Sequence, residues 1–171
     1  MLCDPYDRST QIWLRVYEDY PISTKDVVNW TSLCFAVYLG LKQHAHVMLE
    51  EGAEINKGRD TPLQIVTGRG YEEILGMLLN NGADPSGEGE LYYAALRGAS
   101  SNGHQHAVEM LLDHGAVVNE QSGNRTTALQ LAAEGGYEGI VKILRNQEAD
   151  INMQGKWHDT YGTPGSGREW T

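Results

Sequence analysis

The stretch TPLQIVTGRGYEEILGMLLNNGADPS, Thr61 to Ser86, decides the fold because it has three counterparts in the same chain. Before it lies TSLCFAVYLGLKQHAHVMLEEGAEIN from Thr31, and after it lie AALRGASSNGHQHAVEMLLDHGAVVN from Ala94 and TALQLAAEGGYEGIVKILRNQEADIN from Thr127. Their anchor leucines Leu33, Leu63, Leu96 and Leu129 stand 30, 33 and 33 residues apart, and Gly40, Gly70, Gly103 and Gly136 keep the same intervals. Self-similarity at this period means one supersecondary unit repeated and stacked. Such a stack presents a long shallow surface rather than a pocket, which directs the functional reading toward binding.

Each unit reads as a short helix, a turn, a second helix and an extended hairpin leading onward. In the fourth unit the first helix is expected over Ala128 to Glu134, with Thr127 capping it; Pro62 fills the equivalent first-turn position of the second unit. Gly136 then turns the chain. The second helix of the third unit, expected over His104 to His114, gathers Ala107, Val108, Leu111 and Leu112 on one side, and Gly115 follows where a left-handed residue would end it. A lone two-helix hairpin buries too little apolar area to offset backbone ordering of roughly 1 to 2 kcal/mol per residue, so the units must stack.

These residues resemble the ankyrin repeat. The second unit keeps Thr61, Pro62, Leu63, Gly70, Leu78, Leu79, Gly82, Ala83 and Asp84 of that family's pattern, and the other three match it in register. The resemblance implies an all-α solenoid of helix-turn-helix units joined by β-hairpin loops. The array is expected over residues 26–152, with units at about 26–56, 57–86, 87–119 and 120–152. Residues 1–25 are expected to form a helix or strap covering the first unit, since Ile12, Trp13, Val16, Tyr17 and Tyr20 form an apolar stripe at helical intervals. Residues 153–171 are expected to be a mobile tail in which Tyr161, Gly162, Thr163 and Pro164 resemble the start of a truncated fifth unit.

Departures from the pattern carry their own expectations. The interval from Gly52 to Leu63 is 11 residues against 14 from Gly82 to Leu96, so the first hairpin is clipped. Val66 and Thr67 replace two small alanines, which should loosen helix packing in the second unit. Arg145 stands where the others have Leu49, Leu79 and Leu112, and Glu148 where they have Gly52, Gly82 and Gly115, giving the fourth unit a more polar face and a less favourable helix stop.

The resemblance also says where a partner would meet the array, at the hairpin tips and the exposed side of the first helices. On the tips these are Lys57, Arg59 and Asp60; Glu88, Glu90, Tyr92 and Tyr93; and Glu120, Gln121, Asn124 and Arg125. On the helices they are Tyr38, Leu39, Arg69, Arg97, Ser101, Asn102 and Glu134. Tyr38, Tyr92 and Tyr93 are the preferred anchors, because aromatic and Arg side chains dominate interface energetics. The implied activity is non-catalytic binding of another protein. A narrower resemblance, carried by WLRVYEDYP at 13–21, Ala128–Leu129–Gln130 and the Tyr161–Gly162–Thr163 run, is to arrays of large fungal proteins that follow a NACHT-type module of the STAND class. That implies an alternative, a terminal sensor fragment of a larger NTPase. No G-x-x-x-x-G-K-[ST] sequence is present, so nucleotide hydrolysis does not carry over.

Composition fits these expectations. The chain has 171 residues, 40% of them hydrophobic, enough for one sizeable core. A net charge of −10 with 13 scattered Lys and Arg argues against nucleic acid or an anionic membrane and favours a partner with a basic patch. Asp4, Asp7 and Arg8 spoil a signal-peptide reading, no apolar run reaches the ~18 residues of a membrane span, and Cys3 and Cys34 are too few for a disulfide framework. A cytoplasmic monomer without cofactor is expected. His44 and His46, like His104 and His106, are two residues apart, which on a helix points the rings in opposed directions and cannot clamp one metal. The pairs Glu50/Glu51, Glu72/Glu73 and Glu88/Glu90 fall on helix surfaces and a hairpin, where water keeps them ionised, and Gly87, Gly89, Gly165 and Gly167 lack the strand and helix of a phosphate cradle.

Overall fold

A computed structural model describes residues 31–57, 61–86, 95–120 and 126–153. Among these, eight helices follow one another in pairs: α1 Ser32–Tyr38 and α2 Lys42–Glu50, α3 Pro62–Arg69 and α4 Glu72–Asn80, α5 Ala95–Ser101 and α6 Gln105–Asp113, α7 Ala128–Glu134 and α8 Glu138–Asn146. Each pair falls inside one of the four expected units. The described residues contain no strand, and the hairpin tips at 58–60, 87–94 and 121–125 lie outside them, as do the expected strap and tail.

Local chemistry sets the helix starts. The Thr61 hydroxyl accepts from the Gln64 amide while the Gln64 side chain accepts from the Thr61 amide, and Thr127 and Gln130 repeat this reciprocal cap. Both satisfy amides that the first helical turn leaves without partners. Pro62 occupies the first turn of α3, where its missing N–H costs nothing. Thr31 caps α1 through the Cys34 amide.

Helix ends are set by the left-handed region. After α2, Gly52 at φ 81° donates to the Leu49 carbonyl and Ala53 donates to Met48; Gly82 with Ala83 and Gly115 with Ala116 form the same pair of bonds after α4 and α6. This paired closure satisfies two terminal carbonyls and needs a positive φ at its first residue. Glu148 takes that place after α8 at φ 62°, making the same bonds through Arg145 and Leu144. The expected unfavourable stop is therefore present, and Arg145 is exposed where Leu79 is buried.

Packing follows one rule throughout. First helices touch the first helices of the neighbouring units, second helices touch second helices, and each pair also packs on itself. The core runs through the stack without a break, with Leu33, Leu63 and Leu96 at 2% exposure or less and Leu129 at 8% at the end. In α6, Ala107, Val108 and Leu111 are buried and Leu112 is half-buried, so the face read from spacing is the packed one. The helix itself is one residue shorter at each end than expected, because His104 and His114 are its flanking caps. Val66 and Thr67 are fully buried, and the Thr67 hydroxyl is satisfied by donating to the Gln64 carbonyl at 3.0 Å.

Candidate partner-binding surface

The side chains named for partner contact sort into three groups. Arg59, Asp60, Glu88, Glu90, Tyr92, Tyr93, Gln121, Asn124 and Arg125 lie outside the described residues. Tyr38, Lys57, Arg69 and Asn102 sit at or near the surface. Arg97 and Glu120 are held within the fold.

At the ends of the first helices the structure brings Tyr38 and Arg69 together. The Arg69 guanidinium carbon lies 3.7 Å from the centroid of the Tyr38 ring, joining α1 to α3. A guanidinium over an aromatic face is attracted by the ring quadrupole while its edge donors remain available. Arg69 is exposed and Tyr38 half-buried. One unit further on, Asn102 is exposed, but its amide is turned onto the Gly98 carbonyl at 2.8 Å and the Ser101 hydroxyl at 3.2 Å. Ser101 is half-buried and Glu134 exposed. At the first hairpin Lys57 is engaged by Glu54 at 2.6 Å, with both side chains more than half exposed.

Arg97 corrects the expectation of an outward residue. It is 3% exposed, and both it and Glu120 take part in interactions within the chain. A guanidinium removed from water must be compensated by polar neighbours, so its role is to hold the stack together. Periodicity placed it on the outer side of a short helix. The neighbouring units that cover that side are not visible from one helix's spacing.

Two ladders that the sequence reading did not single out fix these side chains in place. On one, rings of each unit lie over the left-handed glycine of the unit before it: Tyr71 over Gly40, His104 over Gly70 and Tyr137 over Gly103. A methyl group at Gly70 or Gly103 would fall within 3 Å of the ring, so glycine serves both the turn and the close approach. His104, expected only to fill a turn, is thus a packing ring. On the other ladder Asn56 donates to the Gly82 carbonyl at 3.0 Å and accepts from the Asp84 amide at 2.9 Å, while Asn119 does the same with Glu148 and Asp150. Ser86, one unit between, reaches only the Gly115 carbonyl at 3.2 Å. The available signal was the recurrence of Tyr or His just after the glycine and of Asn at the end of the unit.

The remaining ionisable groups are occupied locally. Lys42 of α2 bonds Glu73 of α4 at 2.6 Å, and this hydrogen bond together with the lysine's charge holds the Glu73 carboxyl below the usual range. The rings of His46 and His106 stand 3.6 Å from Glu50 and Glu109 on their own helices. Among the described residues no three His, Cys, Asp or Glu side chains converge, and no helix is long and apolar enough to cross a membrane. An open depression of about 300 Å³ lies between the turns of the first two units, beside Tyr71 and the Lys42–Glu73 pair.

Comparison with known families agrees with this geometry. A model described as ankyrin repeats in three copies matches residues 88–155, and a single ankyrin repeat model matches residues 58–90. No curated protein matches the chain.

Proposed function

The chain belongs to the ankyrin repeat family, whose arrays are protein–protein interaction modules, and from that premise we propose that it binds a protein with a basic surface patch through its first-helix ends and hairpin tips. The observation that carries the reading is the Tyr38–Arg69 stack, which presents a rigid aromatic–cation pair on adjacent units. Preorganised anchors of this kind lose little freedom on binding. The net charge of −10 supports the basic partner, since complementary potentials steer encounter. Binding by the array requires no catalysis or cofactor. The regulatory-fragment alternative gains no support from any of these observations.

Affinity purification from the native cell followed by titration with the purified partner tests this reading. Tyr38→Ala and Arg69→Ala are each expected to weaken binding by about tenfold or more, with helicity unchanged, and added salt to weaken it further. Affinity untouched by both substitutions and by salt would remove this surface from consideration.

A further inference from the structure

Three sets of contacts join each unit to the one after it, and in the fourth unit all three stand open. Gly40, Gly70 and Gly103 are each covered by a ring of the following unit, whereas nothing among the described residues lies within 4 Å of the Cβ position at Gly136. Asn56 and Asn119 each clasp a carbonyl and an amide of the next loop, whereas Asn152, at the equivalent position, shows only its backbone amide bonded, to Asp150. Ile55 and Val118 pack against the core, whereas Ile151, their counterpart, is 70% exposed.

We infer that the face of the fourth unit carrying Gly136, Ile151 and Asn152 docks one more helix-turn-helix unit of the same repeat chemistry. The interfaces inside the chain define the occupant. It brings a Tyr or His ring onto Gly136, apolar surface onto Ile151, and a helix stop whose carbonyl and second-following amide meet the Asn152 side chain. That carbonyl and amide stand at the required separation because a left-handed residue closes the preceding helix, so an isolated strand or straight helix does not offer them. The first unit of a second copy is a poorer match, since Leu41 stands where the ring belongs. This face is distinct from the Tyr38–Arg69 surface, and either assignment can fail alone.

Inserting a second copy of residues 121–153 directly after Met153, in the otherwise intact chain, supplies such a unit in the 33-residue register. The expected result is a single cooperative melt with a midpoint raised by about 5 °C or more. Asn152→Ala in the original unit should lower the midpoint of the duplicated chain while leaving that of the natural chain in place. Insertion of residues 88–120 instead, which offers the His104 ring, repeats the test with a different unit. A separate low-temperature transition or no rise with both insertions overturns the inference. So does destabilisation of the natural chain by Asn152→Ala, which would mean that the chain already covers this face itself. Concentration-dependent self-association of the natural chain, abolished by Asn152→Ala, assigns the face to a second copy and overturns it too.

Discussion

Glu148 shows most directly what one residue contributes. Among the described residues it alone combines a side chain with a positive φ, and an L-residue there costs roughly 1 to 2 kcal/mol that glycine avoids. Glu148→Gly should raise stability by about 1 kcal/mol, less a part for the freer unfolded chain, read as a shift in urea midpoint at unchanged slope. Gly115→Ala should lower it by a similar amount, because φ is 89° and the space is open. Gly103→Ala should cost more than Gly115→Ala, since the added methyl also meets the Tyr137 ring. Lys42 and Glu73 set a pH-dependent test. The carboxyl is held low in the folded chain, so its contribution is present above the ordinary carboxylate range and lost as pH falls through the lower folded value. A stability difference between the parent and Lys42→Met, small for so exposed a pair, should therefore be seen at neutral pH and vanish in acid.

Between elements, the Asn ladder and the helix cores can be weighed separately. Asn119→Ala removes two bonds linking successive loops and should cost about 1 to 2 kcal/mol. Ser86→Asn should add about 0.5 to 1 kcal/mol by extending the same clasp from Gly115 to the Val117 amide, with chemical denaturation as the readout for both. Leu111→Ala, fully buried in the middle of the stack, should cost roughly 2 to 5 kcal/mol by opening a cavity. Helix existence and caps were legible because Thr61, Thr127, Pro62 and the glycines act within one turn of the chain. The burial of Arg97 and the ring of His104 over Gly70 were not, because they arise from a neighbour some thirty residues away whose approach no local pattern encodes.

For the whole molecule, the repeat spacing made the architecture readable from the letters alone. A functional surface is less readable, since it consists of whatever the stacking leaves uncovered, and of the six named contact residues within the described stretches two are held within the fold. The ring ladder adds a kinetic consequence. Tyr71 meets Gly40, His104 meets Gly70 and Tyr137 meets Gly103, so each tie closes a short span of chain and none reaches beyond the adjacent unit. Chains built on such near-in-sequence ties reach the native state quickly and can start from any interior pair of units, growing outward like a zip. Damage at one rung should correspondingly slow growth past that rung while the units on either side still form.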